Sequence, residues 1–176
     1  MYVSLIREAF ALYTGKYFIE KLGLKPHPEG GYYKECLKSA DTIDASRINP
    51  DFNGDRKLWS SIYFLLKDRE VSRLHRLKSD EIWYFHSGTA LAVYIISKDG
   101  ELKRVKLGLD ADRGEQPQVL VPKGAIFGAE MDGTGYSLVG CMVAPGFEYS
   151  DFELLSREEL VAAYPQHEFV IKKLTK

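Results

Sequence analysis

At 176 residues, with 45% hydrophobic and 28% charged side chains, the chain suits one globular domain burying about two-thirds of its unfolded surface. A net charge of −1 gives no basic field for nucleic acid or an anionic membrane. No apolar run approaches the roughly 20 residues that cross a bilayer, so neither kind of partner is expected.

The opening Met-Tyr-Val-Ser-Leu-Ile-Arg-Glu carries an early acid and no small-residue cleavage site. It is a poor secretory signal, and a cytoplasmic location is expected. Residues 4 to 22 read as helix: Ser4 is the N-cap, and Leu5, Ala9, Leu12 and Tyr13 form a stripe at helical spacing. Thr14-Gly15 breaks it, and a second helix runs from Lys16 to Leu22 and ends at Gly23.

Leu24-Lys-Pro-His-Pro-Glu-Gly-Gly-Tyr-Tyr-Lys-Glu-Cys follows. The prolines force an extended approach, and Gly30-Gly31 permit a turn or a close backbone approach before a strand. Glu35 has two readings, a carboxylate reaching a barrel mouth or a solvent-facing charge on an edge strand. Residues 40 to 57 are polar and rich in turn formers and read as irregular loop.

From Leu58 strands follow one another: Trp59 to Leu66, Val71 to Leu77, Glu81 to Ser87, Ala90 to Ile96, Glu101 to Leu107, Gln118 to Val121, Ala125 to Met131 and Tyr136 to Val143. Many short strands with regular turns and no intervening helix indicate an all-β sandwich or barrel, whose closure removes exposed edges. Phe147 to Leu155 is a last extended piece. Ser156-Arg-Glu-Glu159 is a capping box that opens a helix to about Tyr164, and Pro165 starts another. Cys36 and Cys141, without CxxC spacing, make neither a disulfide framework nor a zinc site and read as reduced core thiols.

The stretch Ser72-Arg-Leu-His-Arg-Leu-Lys-Ser-Asp-Glu-Ile-Trp-Tyr-Phe-His-Ser-Gly88 concentrates the chemistry. Side chains two apart in a strand share a face, so His75 and Leu77 point one way and Glu81, Trp83 and Phe85 form a matching set. A Lys78-Ser79-Asp80 turn would fold the two runs into a hairpin in which His75 and Glu81 meet among apolar neighbours. Burial and partner tune such a pair. His86 falls on the opposite parity, five residues after Glu81, and faces away unless a bulge intervenes. His27 arrives from a loop that the pattern neither includes nor excludes, and His167 reads as surface.

From His75 the spacing is H-x-L-x3-E-x6-G, closing on Gly88. It resembles the first motif of the cupin superfamily, H-x-H-x3-E-x6-G, with Leu77 in place of the second histidine. The wording S-x-x-H-R-x-K-S-D-E-x-W, with the upstream P-H-P-E-G-G-Y, resembles a small family of single-domain cupins of unknown function. These are related in fold to the sugar-nucleotide epimerase RmlC, and the resemblance covers about residue 16 to the C-terminus. It implies a double-stranded β-helix, a jelly-roll-like barrel over residues 24–155, which together with the helices read from the pattern at 1–23 and 156–176 makes a single 1–176 domain. It also implies a homodimer through edge strands.

The second cupin motif, P-x-G-x2-H, reads Pro122-Lys-Gly124-Ala-Ile-Phe127, with phenylalanine at the histidine position. Two of the four usual ligands are absent, so neither a metal nor another cofactor is expected. What remains resembles the metal-free epimerases, whose family chemistry implies a histidine base and a tyrosine acid. His75 and Glu81 are the expected catalytic pair. Glu35, Tyr63, Arg76, Trp83 and Phe127 are the expected ligand contacts; Tyr63 and Tyr94 lie on strands, but neither is assignable as the acid. Arg76 and Lys78 are able to hold a phosphate or carboxylate, Arg the better by its fork, although for Lys78 a solvated turn charge is the favoured reading. The partner expected is a small molecule, sugar or nucleotide-like, met by a metal-independent epimerase or isomerase. The alternatives are a non-catalytic binding module and a metal-dependent cupin enzyme.

Overall fold

The computed structural model describes residues 13–175; the helix expected from Ser4 lies largely outside them. Helix α1 (Gly15–Leu22) starts at Thr14, whose Oγ1 accepts from Tyr17 N at 3.1 Å, and stops at Gly23 in the left-handed region. Fourteen strands follow among the described residues: β1 (Lys25–Pro26), β2 (Tyr32–Lys38), β3 (Thr42–Asp44), β4 (Asp55–Lys57), β5 (Ser60–Lys67), β6 (Val71–Leu77), β7 (Asp80–Gly88), β8 (Leu91–Ile96), β9 (Leu102–Leu107), β10 (Glu115–Gln116), β11 (Gln118–Val121), β12 (Ile126–Met131), β13 (Tyr136–Ala144) and β14 (Phe152–Leu154). Helices α2 (Arg157–Ala163) and α3 (Glu168–Lys173) end the chain.

Two six-stranded sheets face each other, β1-β2-β5-β13-β7-β11 in front and β10-β9-β8-β12-β6-β14 behind. This is the all-β barrel that the strand pattern indicates, in the jelly-roll form that the cupin resemblance implies. Inward side chains of both sheets, among them Phe64, Leu66, Trp83, Val93, Phe127 and Val139, fill the interior. The β8 run Leu-Ala-Val-Tyr-Ile-Ile is buried at every position. Leu91, Val93 and Ile95 face the barrel, while Ala92, Tyr94 and Ile96 lie under Leu160, Val170, Ile171 and Leu174 of the C-terminal segment. A strand covered on both faces loses its alternation. Helix α1 covers part of the front sheet through Phe18, Ile19 and Leu22, packed on Leu65 and Leu138. The capping box forms, with Ser156 Oγ accepting from Glu159 N at 3.2 Å.

Two expectations are corrected. Residues 40 to 57 hold a small hairpin, β3 with β4; strands of three residues are too short to show a period. β6 and β7 form no hairpin, because β6 pairs with β12 and β14 while β7 pairs with β13 and β11. The Lys78-Ser79 link carries the chain from the back sheet to the front. His75 and Glu81 therefore face each other across the barrel rather than side by side on one ribbon.

Candidate functional site

The site forms where β6, β7, β13 and the β1–β2 loop meet. A cavity of about 50 Å³ is lined by His27, Glu29, His75, Glu81 and Cys141, with Tyr33, Phe147 and Phe152 among its apolar walls. At its edge Tyr33 and Tyr149 share a hydroxyl hydrogen bond of 3.0 Å, and Phe147 and Phe152 pack against Tyr149.

A bulge sets the back wall. The β6–β12 register shifts between Phe127 and Ala129, which pair with His75 and Ser72 respectively, so Arg73 and Leu74 together oppose Gly128. Leu74 turns out to the helices, and Ser72 and His75, three residues apart, both turn in. The loop brings Glu29 to them. Gly30 and Gly31 have φ of 108° and 66° and lie against Val71 and Leu65 backbone oxygens with no room for a Cβ. Glu29 Oε1 accepts from Ser72 Oγ at 2.9 Å, and Oε2 lies 3.3 Å from His75 Nε2 and 3.4 Å from His27 Nδ1. His75 Nδ1 lies 2.7 Å from the Arg73 carbonyl, and the His75 ring packs tilted against Phe127, ring centroids 4.0 Å apart.

His27, Glu29, His75, Glu81 and Cys141 thus share this space, and burial with Glu81 and Glu29 nearby holds the Cys141 thiol well above its usual range. Burial pushes the Glu29 carboxyl up to about 8, against the pull of the Ser72 hydrogen bond and nearby Arg73. Burial also raises Glu81 to about 7, with His75 opposing and Glu29 reinforcing. Burial holds His75 below the usual imidazole range, with Glu81 opposing, and lowers His27 to about 4 with help from His75. Among the described residues Glu81 Oε2 and Trp83 Nε1 are buried without a hydrogen-bond partner.

His75 and Glu81 line the cavity from opposite sheets, but the carboxyl in contact with His75 is Glu29. Trp83 and Phe127 are core residues, 1% and 0% exposed, behind the cavity wall. Three expected ligand contacts lie elsewhere. Glu35 sits past the two residues that β1 covers, where β2 is the edge of the sheet, and pairs with Lys38 at 2.8 Å in solvent. Tyr63, next to inward-facing Phe64, lies on the outer face beside exposed His86, with ring centroids 6.0 Å apart. Arg76, next to inward-facing His75, pairs outside with Glu153 at 2.5 Å. Arg76 lines an external groove of about 680 Å³ with Lys78. Tyr94, also on an outer face, donates to Glu130 Oε1 at 2.8 Å. His167 is not loose surface, since its Nε2 lies 2.8 Å from the Gly100 carbonyl.

The sequence pattern offered Glu35 as the candidate of this segment and passed over Glu29. The available signal was a carboxylate held between proline and paired glycines, where a backbone can dock closely enough to bury it.

Residues 16–155 match the family described as Cupin superfamily (DUF985). The chain is a cupin. Protein SO0799 from Shewanella oneidensis, known by crystal structure, is 52% identical with a TM-score of 0.86, over 94% of this cupin and 99% of that chain. A hypothetical protein from Leishmania major is 42% identical with a TM-score of 0.85, over 93% and 99%. An uncharacterized Saccharomyces cerevisiae protein, YML079W, is 30% identical over 146 residues, 76% of this chain and 71% of that one. Oxalate decarboxylase from Bacillus subtilis, at 18% identity and a TM-score of 0.54 over 86% of this chain and 37% of its own, shares the barrel.

The donor set of this cupin does not fit the metal of the wider superfamily. Leu77 and Phe127 fill two ligand positions with hydrocarbon. His75 directs one ring nitrogen at a carbonyl and the other at Glu29. Among the described residues no three His, Cys, Asp or Glu side chains are arranged to hold an ion. No helix among them is long and apolar enough to cross a membrane.

Proposed function

We propose that this cupin binds a compact hydroxycarbonyl compound in the buried cavity and catalyses metal-independent proton transfer beside its carbonyl, an isomerisation or epimerisation. The observation that carries the reading is the Glu81 carboxyl, which lines the cavity with its Oε2 in no well-formed hydrogen bond, the nearby Trp83 and Cys141 being its only weak donors among the described residues. A buried polar atom left unsatisfied in a native fold calls for an occupant. A carboxyl raised to about 7 is poised to take a proton at neutral pH.

Size narrows the ligand. A cavity of about 50 Å³ has room for a few non-hydrogen atoms, since one water needs roughly 10–15 Å³ on this measure. Sugar chemistry fits at the reacting end, and a nucleotide finds no room inside. The test is exchange of the carbon-bound protons of glycolaldehyde or glyceraldehyde in deuterated water, followed by NMR against the uncatalysed background. Glu81→Gln is expected to slow catalysed exchange by roughly 10²–10⁴-fold. No exchange by the wild-type protein with either probe would end the catalytic reading.

The aromatic wall of Tyr33, Phe147 and Phe152 favours a second reading, a binding module that encloses a small ligand without reaction. Native mass spectrometry of freshly purified protein would then show a co-purified small molecule.

A further inference from the structure

We propose that Glu29 is held as a neutral carboxylic acid and is the proton donor of the cavity, so that the site takes a carbonyl oxygen rather than a cation. The donor role rests on the proton-transfer reading above; the protonation rests on hydrogen-bond geometry around a His75 whose charged form burial disfavours.

A carbonyl oxygen only accepts, so His75 Nδ1, 2.7 Å from Arg73 O, carries the hydrogen. The Nε2 of a neutral His75 is then a lone pair. Backbone Glu29 N–H donates to His27 Nδ1 at 3.3 Å, so that nitrogen is a lone pair too. Both lone pairs face one atom, Glu29 Oε2, at 3.3 and 3.4 Å. An ionised Oε2 would set acceptor against acceptor in a space from which water is largely excluded, a costly arrangement. A proton on Oε2 donated to His75 Nε2 removes the closer clash, His27 Nδ1 keeping the Glu29 N–H, and leaves Oε1 to accept from Ser72 Oγ at 2.9 Å. Burial, which raises Glu29 and lowers both histidines, acts in the same direction.

The chemistry balances without a further reactant. The ligand's carbonyl oxygen takes the Oε2 proton while the Glu81 carboxylate removes the adjacent carbon-bound proton, giving an enediol, ionised Glu29 and protonated Glu81. Return of a proton to carbon from Glu81, and of the enediol hydroxyl proton to Glu29, restores both groups. Glu29 thereby takes the acid role that family resemblance gives to a tyrosine. Tyr63 and Tyr94 lie on outer faces, and Tyr33, whose hydroxyl bonds to Tyr149, is the competing donor.

Infrared spectroscopy of the ligand-free protein at pH 7 reads a protonated carboxyl directly. Glu29→Gln is expected to remove one such band that Glu81→Gln leaves in place. Ser72→Ala, which strips the donor from Oε1, is expected to move that band to higher frequency. A protonated band lost only in Glu81→Gln, or no such band, would overturn the proposal. If Glu29→Gln does not fold, a band unmoved by Ser72→Ala overturns it instead.

With glycolaldehyde in deuterated water, Glu29→Gln is expected to lower kcat by at least roughly 100-fold with little change in KM, and Tyr33→Phe, which alters the cavity wall, to lower kcat far less. The opposite pattern assigns the acid to Tyr33 and overturns the proposal. A wild-type protein that shows the band and no exchange sinks the catalytic reading alone and supports Glu29's protonation.

Discussion

Glu29 and His75 show how little of a residue's chemistry belongs to the residue itself. In the unfolded chain the glutamate titrates near 4.5 and the imidazole near 6.5; inside the barrel the first moves up and the second down. The effect on stability has a definite sign. Between 4.5 and about 8 folded Glu29 keeps a proton that the unfolded chain has released, and Glu81 behaves alike up to about 7. Their contribution therefore falls as pH rises through that window. His27, His75 and His86 are shifted down, so their contribution is present above 6.5 and lost as pH falls below it. Above 6.5 only the carboxyl effect is left. The melting temperature is expected to decline between pH 6.5 and 8, and Glu29→Gln to reduce that slope by about half or more; a flat wild-type profile would contradict the assignment.

Among the elements, the bulge in β6 decides which side chains share a face. Strict alternation puts Ser72 and His75 on opposite sides of the sheet, and that parity makes the sequence silent about their common partner. The bulge depends on Gly128, where an added Cβ would lie 2.6 Å from the Ser72 carbonyl and 3.3 Å from Leu74 N. Both are backbone atoms with nowhere to go. Gly128→Ala is expected to cost about 2–3 kcal/mol in urea unfolding and to weaken the Ser72–Glu29 bond. A change under about 0.5 kcal/mol, the scale of an ordinary surface substitution, would show that the bulge adjusts freely. The long strands were legible because each turns one face to a continuous apolar interior. β3 and β4 were not, since strands of three residues carry no period.

For the whole molecule, one buried ion pair joins parts of the chain distant in sequence. Arg56 of β4 grips Asp151 through Nε at 2.6 Å and Nη2 at 3.0 Å, and bonds the carbonyls of Asn53 and Asp55. Asp151 follows Tyr149 and precedes Phe152, so the pair tethers the aromatic wall of the cavity to the small hairpin. Arg56→Met leaves a buried carboxylate with Lys78 at 3.5 Å as its nearest cation. The expected loss is about 3 kcal/mol, read by urea unfolding, with faster amide exchange across residues 149–152. Unchanged exchange there would mean that the wall is held by its own packing.

Composition and strand periodicity by themselves determined an all-β sandwich or barrel, because alternation and short turns are local properties of a chain, and the cupin kind with its weakened metal motif came from the resemblance of the His75–Glu81–Gly88 spacing. Only the tertiary structure decided which carboxyl meets His75. That contact depends on a loop docking from some forty-five residues upstream, on a bulge that breaks parity, and on a link that changes sheets. None of these leaves a local periodic trace, because each is fixed by what the segment packs against.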